Sequence, residues 1–207
     1  MNHFKLHLGP FVQGTLDLKR INIAFIFQVN CPGCFIYGFP TMNQLYQQYK
    51  KEIGFLGVST AFEDFEYNNI ANTRLLLNEG NTVGETKKYL TAQGSNTYKH
   101  LPAFPIAFDK ISTPKDFLNE ENLANLSALL IGKKNLLSEE QTMLNQNIRQ
   151  HYRKYAGIAE TFSLNQMRGT PSFVIFKENY EIIRHSFGHQ PVSVLEKLLQ
   201  SSLVGNH

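Results

Sequence analysis

Ile21-Asn-Ile-Ala-Phe-Ile-Phe-Gln-Val-Asn-Cys-Pro-Gly-Cys34 is the stretch on which the fold turns. Ile21 to Val29 is short, β-branched, aromatic and almost wholly apolar, which suits a central strand buried on both faces. Cys31 and Cys34 follow at once and are the only two cysteines in the chain. Thiols three positions apart close almost no loop, so a bond between them would restrict the unfolded chain very little. Chemistry explains the pair better than stability does. Beyond it, Phe35, Phe39, Met42, Leu45, Tyr46 and Tyr49 recur at helical spacing among polar residues, predicting an amphipathic helix of about four to five turns, kinked at Pro40.

A cysteine pair where a buried strand runs into a helix has an electrostatic consequence. Unpaired N–H groups and the positive end of the helix dipole favour a thiolate at Cys31. Pro32 occupies the first helical position, where its missing N–H costs nothing, and Gly33 leaves the peptide open to an approaching substrate. Cys34, one turn further in, points toward the covered side. Exposed Cys31 is therefore expected to attack a disulfide, and Cys34 to attack the mixed disulfide that results.

Working outward, Gly54 to Thr60 reads as a second short apolar strand, so the chain opens as strand, helix, strand, a parallel βαβ unit. Phe62 to Glu79 and Thr82 to Gln93 read as helices, the second begun by a capping box of Thr82 and Glu85, and Gly80 and Gly94 end them. Phe104 to Asp109 is a third strand, which Pro105 moves toward an edge or a strand start. From Thr113 to about Phe162, Leu, Asn, Gln, Glu and Lys dominate, and two or three helices are expected, one starting at Ser138 answered by Gln141. Ser172 to Lys177 and Tyr180 to Phe187 form an apparent hairpin, and Val192 to Leu203 a closing helix. No internal repeat or low-complexity tract occurs.

Composition narrows the function classes. The chain has 207 residues, 42% hydrophobic, enough for one globular domain with a substantial core. Sixteen Phe and nine Tyr exclude a disordered chain. Twenty basic against seventeen acidic residues leave a net charge of +3, spread along the chain, so neither nucleic acid nor an acidic membrane is an expected partner. The longest apolar runs, near 21–27 and 126–131, fall short of the roughly 18–20 residues of a spanning helix. The N-terminal MNHFKLHLGPFVQG lacks the pattern of a secretory signal, and a cytoplasmic protein is expected.

Other readings of the cysteines are available. Half a zinc site has the same spacing, and His185 and His189 are the best candidates for further ligands, although a strand-end location without a metal is the simpler reading of both. His100 and His151 are read as ordinary surface residues. Glu63, Asp64 and Glu66 read as a solvated, charged helix start, and the basic, aromatic cluster from Arg149 to Tyr155 as a helix C-terminus.

Cys31-Pro-Gly-Cys34 after a buried strand, together with Arg168-Gly-Thr-Pro-Ser-Phe-Val-Ile-Phe176 before a hairpin and a last helix, resembles the thioredoxin superfamily. The TlpA-like and AhpC/TSA-type branches are the most similar, through 14–19, 57–63 and 104–109. The likeness covers roughly 8–109 and 156–204. It implies an α/β thioredoxin-like fold, a central mixed sheet flanked by helices, as a single domain over 1–207 with a helical insertion at about 112–156. It also implies that Pro171 is cis and faces the cysteines, with Thr170 presenting its backbone to an incoming strand. Pro32, Gly33, Thr170 and Pro171 are thus the expected substrate-binding residues, and Cys31 and Cys34 the catalytic ones. The expected activity is thiol–disulfide exchange with protein or small-molecule disulfides and dithiols, served by an upstream thiol reductant. No cofactor or metal is expected beyond the redox-active Cys31–Cys34 pair. A redox-inactive binding module is the rival outside catalysis, and a peroxidase the rival within it. Peroxiredoxin-type cysteines have Thr and Pro at minus three and minus seven, where this chain has Gln28 and Ala24. Family members usually carry Trp before the first cysteine, where Asn30 stands here, and lack so long an insertion, whose helices are expected either to cover the active-site face or to serve packing alone.

Overall fold

The computed structural model describes residues 3–132 and 137–204. Met1 and Asn2 of the N-terminal segment, residues 133–136 of the insertion and 205–207 lie outside the described residues. In chain order the elements are β1 (Leu8–Gln13), β2 (Ile21–Phe27), a π-helical turn (Cys34–Gly38), α1 (Phe39–Tyr49), β3 (Ile53–Ser59), α2 (Ile70–Glu79), α3 (Gly84–Ala92), β4 (Ile106–Asp109) and β5 (Ile111–Ser112). Then come α4 (Pro114–Phe117), α5 (Glu120–Ile131), α6 (Ser138–Tyr152), β6 (Ile158–Ala159), α7 (Glu160–Leu164), β7 (Ser172–Lys177), β8 (Ile182–Phe187) and α8 (Val192–Val204).

A six-stranded mixed sheet has the order β1-β4-β3-β2-β7-β8. β2 runs parallel to β3 and antiparallel to β7, and every residue of β2 is buried, as its unbroken apolar run requires. β4 is internal, because β1 pairs with it outside β3, and its strand begins after Pro105, whose missing donor therefore breaks no ladder bond. One face of the sheet carries an aromatic core. Phe39 of α1 lies 5.3 Å from Phe25, 4.9 Å from Phe27 and 5.1 Å from Phe35, centroid to centroid. Gly38 allows this approach, since a Cβ there would sit 2.4 Å from Cζ of Phe25.

Local structure departs from the expected pattern at several points, each with a physical cause. The helix after Cys34 opens, just before Pro40, into the π-helical turn, with the Phe39 N–H reaching back to the Cys34 carbonyl, and Pro40 sits in the first turn of α1. The helix expected from Phe62 begins only at Ile70. Over 62–69 the backbone turns through Asp64, at φ 49°, and amide side chains take its carbonyls, Asn68 on Glu63 and Asn69 on Glu66. Thr82 is no cap: α3 starts at Gly84, and the Thr82 hydroxyl is buried without a hydrogen-bond partner among the described residues. At α6, Glu140 rather than Gln141 closes the first turn, accepting from the Leu137 N–H at 2.8 Å.

The stretch expected to be an insertion is bounded by the small β5–β6 ribbon and forms a separate cluster with Phe117, Leu118, Leu123, Leu126, Ile148, Ile158 and Leu164. It meets the rest of the molecule along a seam where Phe162 stacks on Phe62 at 3.8 Å and the Gln166 amide donates to the Tyr152 hydroxyl. Hydrogen bonds and ring contacts of α4–α6 among the described residues run to this seam and within the insertion, not to the cysteines.

Two buried carboxylates fix the chain where it leaves β4 and where it returns at α7. Asp109 accepts from the Thr60 hydroxyl at 2.8 Å and from the Thr161 and Phe162 N–H groups at 2.8 and 3.1 Å. Glu160 meets His7 at 2.5 Å, Lys110 at 3.0 Å and the Ser112 hydroxyl. Burial raises Asp109 to about 6, outweighing its hydrogen bonds. Burial also raises Glu160, but Ser112, His7 and Lys110 bring it below the usual carboxylate range. The two therefore act oppositely on stability. A carboxyl raised on folding favours the fold when protonated, and that contribution is lost as pH rises through the folded value. Lowering the pH from 7 to 5 is expected to stabilise the protein by about 1 kcal/mol through Asp109. Glu160 loses its contribution only below the ordinary carboxylate range, outside this window. Thermal melts at pH 5, 6 and 7 check this: Asp109→Asn should flatten the slope, and equal slopes in both proteins would refute it.

Candidate active site

Cys31 lies at the C-terminal end of β2, where the chain leaves the sheet, and Pro32 and Gly33 form the first helical turn. The Cys34 N–H donates to the Cys31 carbonyl at 2.9 Å and approaches Cys31 Sγ at 3.3 Å. Cys31 is half-buried and Cys34 fully buried, and both are free thiols. Burial pushes Cys34 well above an ordinary thiol, reinforced by its hydrogen bond and charge interaction with Cys31. Cys31 is held down to about 7, first by the hydrogen bond from Cys34 and then, against its own burial, by Thr170 and the Cys34 and Gly33 amides. The reachable sulfur is thus the acidic one.

The segment before β7 closes the site from the opposite side. The Thr170–Pro171 peptide bond is cis. Cys31 Sγ donates to the Thr170 carbonyl at 3.5 Å, and a Cβ on Gly33 would meet Pro171 Cδ at 3.7 Å, so this loop lies directly over the cysteine turn. The structure therefore brings Cys31, Cys34, Pro32, Gly33, Thr170 and Pro171 together. His185 lies in β8, paired with Val174, and His189 packs on Tyr37 at 4.3 Å.

Gln28 and Asn30, read from the sequence only as departures from related patterns, and Tyr98, which sequence reasoning passed over, complete the surroundings. Gln28, 3% exposed, accepts from the Thr170 hydroxyl at 3.2 Å. Tyr98 donates its buried hydroxyl to the Phe35 carbonyl at 2.8 Å, roofing the π-helical turn. Asn30 donates its N–H to Asn68 and its side-chain amide to Asp64, and accepts the Glu85 N–H. The signal in the sequence was an isolated amide beside a cysteine, and the partners of Asn30 lie 34 to 55 residues away.

No protein-family model matches the sequence, and no curated protein matches it. Solved structures do share its architecture. A thiol-disulfide isomerase from Corynebacterium glutamicum superposes with a TM-score of 0.59 at 17% identity, over 99% of this chain and 97% of that one. A thioredoxin-like superfamily protein gives 0.56 at 18% identity, over 97% and 94%. A thioredoxin-like protein in its oxidised form gives 0.52 at 10% identity, over 97% and 93%. With a mixed sheet of this order, a cysteine pair where the central strand passes into its helix, and a proline loop above it, the chain has the thioredoxin-like fold.

Proposed function

We propose that the protein is a thiol–disulfide oxidoreductase working through Cys31 and Cys34. One observation carries this reading: a half-buried thiol held down to about 7 sits one helical turn from a fully buried thiol pushed well up. The Cys31 thiolate attacks a substrate disulfide, forming a mixed disulfide and expelling one substrate thiolate, which takes a proton from solvent. Cys34 then gives up its proton and attacks Cys31 Sγ; the second substrate thiolate leaves, and the pair becomes a disulfide. Two electrons have passed to the substrate, and a thiol reductant must return them. Run backward, the same steps oxidise a dithiol. Pro32, Gly33, Thr170 and Pro171 bound the opening through which substrate reaches Cys31, and the free backbone beside Pro171 suits an extended polypeptide. No cofactor enters these steps. A cytoplasmic setting and a likeness to the TlpA-like branch belong to the same reading. The neighbour that acts on disulfides by its name supports it through shared fold alone.

The test is insulin reduction by dithiothreitol, with equilibration of the pair against glutathione and quantification of its thiols. Catalysis together with reversible loss of both thiols is expected. No acceleration and no exchange with glutathione would overturn the reading in favour of a binding module. The pH dependence is equally specific. Alkylation of Cys31 by iodoacetamide should be half-maximal near pH 7, where the thiolate forms. An inflection near the ordinary thiol value of 9.0 would remove the nucleophile assignment.

A further inference from the structure

We propose that Asn30 is a positioning residue for Cys31, clamping the backbone that enters the nucleophile between the 62–69 loop and the start of α3. The inference rests on the reading of Cys31 as the attacking thiol.

Three hydrogen bonds converge on Asn30. Its own N–H donates to Asn68 Oδ1 at 3.0 Å, its Nδ2 donates to Asp64 Oδ2 at 2.9 Å, and its Oδ1 accepts the Glu85 N–H at 2.6 Å. The last contact serves as the cap that α3 lacks on its own: Val83 precedes the helix without a side-chain cap, and the residue before the cysteine takes an unpaired first-turn N–H. Two neighbours are shaped to this seat. Gly84 has φ 52°, and a Cβ there would lie 2.0 Å from Asn30 Oδ1, so only glycine admits the side chain. Asp64, also at positive φ, turns its carboxylate toward Asn30, and Asn68 is itself fixed by its bond to the Glu63 carbonyl.

The consequence falls on Cys31 because nothing flexible separates the two residues. Its sulfur is set by short-range contacts, 3.3 Å from the Cys34 N–H and 3.5 Å from the Thr170 carbonyl, and hydrogen bonds weaken steeply when such distances lengthen. Each clamp bond is modest alone. All three act on one residue, however, and tie it to two separate elements. Releasing the clamp lets the Cys31 backbone shift relative to the helix amides and weakens their hold on the thiolate. The charged and titratable groups facing this seat are Glu63, which burial and Asp64 raise, Glu85 with its partner Lys88 at 2.7 Å, and Cys34.

The experiment is the pH profile of Cys31 alkylation in the full-length reduced protein, with circular dichroism to confirm folding. Wild type reports on the nucleophile reading itself: an inflection near 9 in wild type overturns that reading and the clamp with it. The difference between variant and wild type reports on the clamp. Asn30→Ala is expected to move the inflection upward and to slow alkylation at pH 6 by about three- to tenfold. Asp64→Gly, which removes one arm while accepting the positive φ, should slow it by a smaller factor. Asp64→Asn keeps an acceptor oxygen and should retain the wild-type profile. A folded Asn30→Ala whose melting temperature falls while its alkylation profile stays put would show a merely structural residue and overturn the proposal. Should Asn30→Ala fail to fold, the Asp64 pair decides: slowing by Asp64→Gly but not Asp64→Asn supports the clamp, and any other pattern refutes it.

Discussion

Cys34→Ser, mixed with a disulfide-bearing protein at neutral pH, is expected to accumulate a covalent complex through Cys31, whereas Cys31→Ser should accumulate almost none. The asymmetry follows from reach and acidity together. Cys31 is half-buried and ionises near 7, while Cys34 is fully buried and is held protonated by that burial. In wild type the mixed disulfide is expected to be short-lived, because Cys34 stands one turn away and its attack is intramolecular; effective molarities for well-placed groups reach about 10⁵ M or more. Removing Cys34 leaves release to external thiol, so turnover with a protein disulfide should fall by about two orders of magnitude or more. Removing Cys31 should abolish it. Non-reducing electrophoresis and intact mass of both variants are the readout. Equal trapping by the two would reverse the assignment of roles.

The second large effect concerns the core beneath the site. Phe39 is fully buried, and its ring also meets Tyr98 at 5.9 Å and Phe104 at 6.4 Å. Phe39→Ala should cost about 3–5 kcal/mol, through lost transfer free energy and the cavity left behind. That is a large part of the roughly 5–15 kcal/mol by which domains are stable. Phe39→Leu, which refills most of the volume, should cost clearly less. Urea unfolding gives both values, and a loss below about 1 kcal/mol for Phe39→Ala would show that the ring cluster is not the centre of the core. Because Phe39 directly follows the π-helical turn carrying Cys34, a folded Phe39→Ala should also resolve mixed disulfides more slowly.

Some of this molecule is written in local pattern. The run from Ile21 to Phe27 has to be a doubly buried strand because no face of it is polar, and the cysteine turn has to begin a helix because Pro32 fixes the first φ and apolar residues then recur at helical spacing. Ile53–Ser59, Ser172–Lys177 and the closing helix were legible for the same reason. Strand β1 was not. Its Gly9 and Pro10 weaken any strand signal, and it is held by pairing with β4, a partner about a hundred residues distant. The 62–69 segment misled for a related cause: its charged residues suit a helix start, but the loop is fixed by amide side chains and by Asn30, which periodicity does not register.

For the site, sequence alone set Cys31, at the start of the helix, apart from Cys34 three residues further in. The resemblance put Thr170 and Pro171 opposite them, but only the tertiary structure decided the contacts that surround them. The Thr170 carbonyl reaches Cys31 across 139 residues, Gln28 meets Thr170 across 142, and Asn30 meets Glu85 across 55. Such contacts are set by how the sheet is ordered and how its loops stack at one end. Local propensity carries no information about them, because a hydrogen bond between distant residues exists only after packing has brought both groups into range.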